Sequence, residues 1–278
     1  MIDSLVERVW PGGVDAVEPL GGGITNRNFK VSAGGEAFVL RIGGKDTELL
    51  GIDRRVEHEA SLAAAALGIG PEVVAFVEPE GYLVTRFVEG EVGRVTAAEA
   101  AWLLRRLHGS PPIPGRFDAF RVVEEYAATA RRHGVALPPG FASAKATADR
   151  IEQRRGPVEL RPCHNDLLGA NFVHGGERVW IVDWEYAGMG DPAFDLANFA
   201  VNNGLGEAGD DALLEAYGGG DPAVHVLIRF MSDFREAMWG LVQQGIAELD
   251  FDFAAYAEEH FARLEATAAD RRFRAALA

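Results

Sequence analysis

The sequence predicts an α+β fold in two lobes: a small antiparallel β-sheet with one helix, then a larger, mainly helical lobe. Three observations carry this. Between Val17 and Val88, short β-rich runs are separated by glycine or proline turns and interrupted by one helical stretch, about Arg54 to Leu67. Beyond residue 90 the apolar spacing becomes mostly helical. Inside that helical part lies one more hairpin, in which Asn171-Phe172-Val173-His174 and Val179 to Val182 flank Gly175-Gly176-Glu177.

Taken in order, residues 2–10 read as a short helix closed by Pro11-Gly12-Gly13. Val17 to Val31 reads as strand, glycine turn, strand, and Glu36 to Ile42 alternates as a third strand. The helix from Arg54 carries an apolar side of Leu62, Ala63, Ala66 and Leu67. Residues 73–77 and 82–88 are two further strands around Glu78-Pro79-Glu80-Gly81. The lobe boundary falls here, giving residues 1–89 and 90–278 with no disordered linker. Thr96-Ala97-Ala98-Glu99 is a capping box that opens a helix to His108. Helices are then predicted over residues 117–133, 142–155, 192–202, 210–217, 223–249 and from 253 to the end.

At 278 residues the chain can bury a substantial core, and 48% apolar with 25% charged residues reads as globular. The net charge of −15 argues against a nucleic-acid partner, which needs a basic face, and is compatible with a cationic substrate. Cys163 is the only cysteine, so no intrachain disulfide forms and a reducing cytoplasm fits. It reads as a small buried thiol, because no base is placed beside it by sequence. The N-terminus lacks a signal-peptide pattern, and no apolar run approaches the roughly 18 residues of a membrane span.

The chemistry concentrates around the second hairpin. Just before it, Cys163-His164-Asn165-Asp166 opens a polar loop, and Asn171 follows Asp166 by five positions. Just after it stands Asp183. The hairpin therefore brings Asp166, Asn171 and Asp183 to one end of a small sheet. Phosphoryl transfer uses such a set: one carboxylate orients the acceptor hydroxyl and takes its proton, while an Asn and a second carboxylate hold magnesium.

This stretch resembles the aminoglycoside phosphotransferase and choline kinase superfamily, whose catalytic loop is His-x-Asp-x-x-x-x-Asn. Val182-Asp183-Trp184-Glu185-Tyr186-Ala187-Gly188, with Asp191-Pro192-Ala193-Phe194-Asp195-Leu196-Ala197-Asn198, is most similar to the choline and ethanolamine kinase branch. The resemblance implies a two-lobed protein-kinase-like fold, ATP and Mg2+ as cofactors, Asp166 as base, and Asn171 with Asp183 as metal ligands. Asp195 would then help hold the catalytic loop. Gly21-Gly22-Gly23-Ile24-Thr25-Asn26-Arg27-Asn28-Phe29 resembles the family's phosphate loop, which implies that Gly22, Gly23, Thr25, Asn26 and Asn28 lie near the nucleotide phosphates. Most kinases carry a Lys on the third strand, paired with a Glu on the next helix. Arg41 stands there, as in choline kinases, and offers a planar fork to phosphate oxygens. Glu57 and Glu59 are both candidates for its partner, and two positions apart they face different ways; the resemblance favours Glu57. Phe87-Val88-Glu89-Gly90 resembles the hinge that faces the adenine ring.

For the acceptor, choline kinases use an aromatic-rich helix whose Trp residues enclose a quaternary ammonium. Trp239 matches the second of those positions and Tyr256 resembles a further one, but Glu236 stands at the first. Glu236, with Asp233 one turn earlier, offers a pair for a primary amine, and Arg235 equally offers recognition of an acidic group. Glu185 and Tyr186, just past Asp183, are further candidates. Taken alone, Trp239 reads equally as helix core, and Arg235 with Glu236 as a surface ion pair. The expected activity is ATP- and Mg-dependent phosphorylation of a hydroxyl on a small cationic molecule, an amino alcohol of the choline or ethanolamine kind. Thiamine, an amino sugar, or an aminoglycoside or other antibiotic are the competing acceptors. A pseudokinase binding module is the non-enzyme alternative, against which the intact Asp166, Asn171 and Asp183 argue. The sequence does not specify an oligomeric state.

Overall fold

Apolar alternation builds the first sheet of the computed structural model, which describes residues 2–21, 25–93, 95–176, 178–249 and 251–278, the Asp3 side chain apart. Strands β1 (Ala16–Leu20), β2 (Asn26–Ala33), β3 (Glu36–Gly43), β4 (Val73–Val77) and β5 (Tyr82–Arg86) form an antiparallel sheet ordered β1-β2-β3-β5-β4. Register partners on neighbouring strands share a face. Val31 opposite Phe38, and Leu40 opposite Val84, therefore line one face, where they cluster with Leu5 and Val6 of helix α1 (Ile2–Val9). Asn28, Arg41 and Leu83 are successive partners on the other face, joined by Val39 opposite Thr85. One face of the sheet is thus a core and the other lines a cavity.

Helix α2 (Arg54–Ala66) follows β3, and the Asp53 side chain caps it by accepting from the amides of Arg55 and Val56. Its Ala60 and Ala64 do not pack on the first sheet's core. They cluster with Leu103, Leu104 and Leu107 of helix α3 (Ala97–His108) and with Phe172, Ile181 and Trp184. The predicted capping box is present, with Thr96 Oγ1 accepting from Glu99 N at 3.2 Å and Glu99 Oε2 accepting from Thr96 N at 2.9 Å.

One short strand precedes α3, and four more strands and seven α-helices follow it among the described residues. Strands β6 (Glu91–Val92), β8 (Phe172–Gly175) and β9 (Arg178–Ile181) pair in that order, and β7 (Arg161–Cys163) pairs with β10 (Gly188–Gly190). Helices α4 (Ala119–Arg132), α5 (Phe141–Arg155), α6 (Pro192–Asn202), α7 (Glu207–Tyr217), α8 (Pro222–Ile246), α9 (Phe253–Ala269) and α10 (Arg271–Leu277) complete the chain. Helix α8 is buried on nearly every side: its Phe230, Met231, Phe234 and Met238 cluster with Val123 and Tyr126 of α4, Phe194 of α6 and Phe261 of α9.

Four boundaries differ from the sequence expectation. The final helix is two, because Asp270 turns extended and its side chain caps α10 through the amide of Arg272. Helix α8 stops at Ile246, where Ala247 is extended, and α7 begins three residues early, at Glu207. Strand β5 ends at Arg86, two residues short, although Phe87 N still donates to Ala37 O. Among the described residues no helix is long and apolar enough to cross a membrane.

Candidate active site

The loop after β7 is fixed from below by α6. Asp195 and Asn198 are three residues apart and so share a helix face, and both are fully buried. Asp195 accepts from the backbone amides of His164 at 2.9 Å and Asn165 at 2.7 Å, and from His108 Nε2 at 3.0 Å. Asn198 accepts from Leu167 N at 2.6 Å, and Asn203 donates to Leu167 O at 3.1 Å. Asn165 adopts a left-handed conformation (φ 67°), which Asn tolerates, and its amide donates to Tyr186 O. His164 accepts from Asp166 N on Nδ1 and lies 3.1 Å from Val182 O on Nε2, which assigns the proton to Nε2; burial pushes its pKa down and keeps the ring neutral. Every amide from His164 to Leu167 is thereby held, and the Asp166 carboxylate is left to project.

A single turn, Gly169–Asn171, follows, and Asn171 Nδ2 donates to Asp166 O at 2.8 Å. The β8–β9 hairpin brings the chain back so that Val182 N donates to Asn171 O. Asp183 comes next, also left-handed at φ 69°. The structure therefore brings Asp166, Asn171 and Asp183 together, at the end of the hairpin where the sequence put them.

Across from them, Arg41 Nη1 donates to Asp183 Oδ1 at 2.6 Å and to Glu57 Oε1 at 2.7 Å. Glu57 is 2% exposed and Glu59 faces solvent, so Glu57 is the partner on α2. Glu57 also accepts on Oε2 from Arg54 Nη1, at 2.7 Å. The same Nη1 reaches Glu185 Oε2 at 3.0 Å, and Arg54 Nη2 donates to Asn26 Oδ1 and Thr47 Oγ1. Asn26 Nδ2 donates to Glu185 Oε2 at 2.8 Å. Two arginines, three carboxylates and one amide thus form one connected chain from β2 through α2 to the residues after β9. Arg54 was not among the residues singled out by sequence. Its spacing of three from Glu57 was the available signal, because it sets both on one helix face.

Burial opposes ionisation of Asp183, yet the adjacent Arg41 charge outweighs it and holds the carboxyl below the usual Asp range. Glu185 is pushed up to about 8, by burial first and by the neighbouring Asp183 charge second. Asp166 is pushed up to about 7, chiefly by burial, against the pull of Arg235.

A cavity of about 350 Å³ opens between the first sheet and the hairpin. Val39, Leu83, Phe87, Val173 and Val182 give it apolar walls, and Asn28, Arg41, Glu57, Asn171 and Asp183 make one polar end. The arrangement suits a flat ring system joined to an anionic chain. Asn28 lines it, whereas Asn26 turns away to Arg54 and Glu185. Gly22 and Gly23 lie outside the described residues; Thr25, half-buried, stands at the edge of β2 with its carbonyl packed on Gly44, where a Cβ would lie 2.2 Å from that oxygen.

On the other side of Asp166, α8 presents Arg235, Glu236 and Trp239, all buried. Arg235 Nη1 donates to Asp166 Oδ1 at 3.1 Å and to Glu236 Oε1 at 2.5 Å, and the guanidinium lies over the Tyr186 ring, 4.3 Å from its centre. Tyr256 donates to Glu236 Oε2 at 2.9 Å, and Trp239 Nε1 donates to the Tyr186 hydroxyl at 3.1 Å. Arg235 and Glu236 do pair, but in the interior and not at the surface. Two acceptor candidates are placed elsewhere. Asp233 faces α9 as Glu236 does, but one turn further along, where His260 donates to it at 2.9 Å and Arg263 pairs with it at 3.0 Å, away from Asp166. Glu185 faces Arg54 and Asn26 instead of α8. Cys163 is buried, which pushes its thiol well up and leaves it an inert packing residue.

Residues 16–227 match the phosphotransferase enzyme family. Protein LicA of Haemophilus influenzae is 29% identical over 212 residues, 70% of this chain, and the match spans only 61% of that protein. A thiamine kinase of Escherichia coli is 28% identical over 207 residues, covering 72% of this chain and 71% of its own. The crystal structure of a choline/ethanolamine kinase family protein from Mesorhizobium loti superposes with a TM-score of 0.83 at 33% identity, over 99% of this chain and 97% of that one. With a family match over most of its length and a structural relative that covers nearly all of it, the chain belongs to the phosphotransferase enzyme family.

Proposed function

We propose that this protein transfers the γ-phosphoryl group of ATP to a hydroxyl of a small cationic molecule, an amino alcohol of the kind that the choline/ethanolamine and thiamine kinase relatives suggest. The observation that carries the reading is the strapped loop that projects Asp166 beside Asn171 and Asp183, at the polar end of an apolar cavity. In this reading residues 1–89 are the nucleotide-binding lobe and residues 90–278 the catalytic and acceptor-binding lobe. The nucleotide ring takes the apolar walls, and Asn28 and Arg41 meet its phosphates. A cytoplasmic setting goes with it, since ATP is the donor.

The donors around Asp183 fit magnesium. Asn171 commits its side-chain N–H to Asp166 O, which leaves its side-chain oxygen Oδ1 unbonded among the described residues, and Asp183 keeps one oxygen beyond the Arg41 contact. Two hard oxygen donors suit that ion. Bound there, it would neutralise the phosphate charge. Asp166 orients the acceptor hydroxyl and takes its proton as the hydroxyl oxygen attacks the γ-phosphorus and the bond to the β-phosphate oxygen breaks. A carboxyl pushed up to about 7 is well matched to that exchange near neutral pH. Glu57 holds Arg41 from one side, and Arg54 holds Glu57 from the other.

The test is ADP release from Mg-ATP over choline, ethanolamine, thiamine, amino sugars and aminoglycosides, with Asp166→Ala as control. Stimulation by an amino alcohol, abolished in the control while nucleotide binding survives, supports the reading. Equal turnover by Asp166→Ala sinks the assignment of the base, and stimulation by aminoglycosides alone moves the acceptor to that class.

A further inference from the structure

Arg235 contacts Asp166 and has no part in the mechanism above. It is 1% exposed, and only Nη1 is bonded, to Asp166 and Glu236. Nε and Nη2 are buried and, among the described residues, have no hydrogen-bond partner. These two nitrogens carry the parallel N–H bonds along one edge of the guanidinium, the edge that binds a carboxylate through both oxygens. A buried charged donor left unpaired is costly, and two on the same edge share one remedy. A phosphate can also use such an edge, but in the reading above the phosphates are met by Asn28 and Arg41 across the cleft.

The groups that a bare ammonium would use are already engaged. Arg235 holds Glu236 and Asp166, and it covers the face of Tyr186. Both oxygens of Glu236 are engaged as well, one by Arg235 and one by Tyr256, so an ammonium there would share that carboxylate with them, beside the edge-to-face rings of Tyr256 and Trp239. We infer that the acceptor is an amino alcohol that also carries a carboxylate, which the free edge of Arg235 binds while Asp166 faces the hydroxyl. This rests on the phosphotransferase reading above and narrows its acceptor from a cation to a zwitterion.

Matched pairs that differ only by the carboxylate test it on the full chain: ethanolamine with serine, 3-aminopropanol with homoserine, 1-amino-2-propanol with threonine, and β-methylcholine with carnitine. The expected result is that kcat/KM for ADP release from Mg-ATP favours the carboxylate member of at least one pair by roughly tenfold or more, since buried donors left unpaired reject the analogue that lacks their partner. Arg235→Lys keeps the charge and loses the two-pronged edge; it and Arg235→Met should both bring that ratio toward one. The inference is overturned if no pair favours its carboxylate member, an unresponsive panel included, or if the preference persists in both variants. Should neither variant fold, the ratios of the unaltered protein decide alone. Turnover of plain amino alcohols with no preference for their carboxylate partners, abolished by Asp166→Ala, would overturn the carboxylate and leave the phosphotransferase reading intact. Failure of Mg-ATP to bind at all would remove that reading itself.

Discussion

Replacing Arg54 with methionine keeps most of the side chain's length and removes its charge. Nη1 then no longer serves Glu57 and Glu185, and Nη2 no longer serves Asn26 and Thr47. Glu57 keeps Arg41 at 2.7 Å, and Glu185 keeps only Asn26 at 2.8 Å. Glu185, pushed up to about 8, is largely protonated near neutral pH, so its share of the loss is small. The cost falls on one ion-paired bond to Glu57 and two bonds to neutral acceptors, about 3 kcal/mol after allowing for the 15% exposure of the Arg54 side chain. At about 2–4 °C per kcal/mol, Tm should fall by about 6–12 °C. Differential scanning fluorimetry at pH 7 without nucleotide measures it. A shift under about 2 °C would show that the network does not bear on stability and would refute the reasoning.

Two further predictions concern the chemistry. Asp183→Ala should lose the magnesium dependence of ATP binding; calorimetry in which metal-dependent binding stays unchanged would exclude Asp183 as a ligand. The kcat/KM for ADP release should fall roughly tenfold per pH unit below an apparent pKa of about 7, because protonated Asp166 cannot accept a proton. Stability runs the other way. Folded Asp166 and Glu185 retain protons that the unfolded chain releases near pH 4, so burying them lowers stability as pH rises from about 4 toward 7 and 8. A flat rate profile between about pH 5.5 and 8 would contradict the role given to Asp166.

Much of this site was legible because its residues are close in sequence or fixed by a hairpin. Asp166, Asn171 and Asp183 span a loop and one turn-back, so local geometry alone brings them together. Asp195 and Asn198 were readable as one helix face beneath that loop. What sequence could not supply was direction between distant elements. Arg54 and Glu185 are 131 positions apart, and nothing local says that they meet. Asp233 and Glu236 share a helix, but α8 is buried all round, so each side chain finds a different neighbour and spacing does not choose among them. Strands β6, β7 and β10 have only two or three residues, too few for alternation to register, and exist because longer neighbours pair with them.

The contact between Arg41 and Asp183 has a consequence for how the cleft fills. At 2.6 Å the guanidinium already engages one oxygen of Asp183, and the carboxylate engages a nitrogen with which Arg41 would meet an anion. Each group competes with the other's ligand. A free divalent ion on that carboxylate would weaken its hold on Arg41 and leave the arginine to Glu57 alone, and a free polyphosphate would draw Arg41 away from the carboxylate. A chelate of the two carries both charges at once and exchanges one ion pair for two. In the phosphotransferase reading the resting pair would therefore act as a filter for composition, favouring entry of the metal–nucleotide complex as a unit over either part alone.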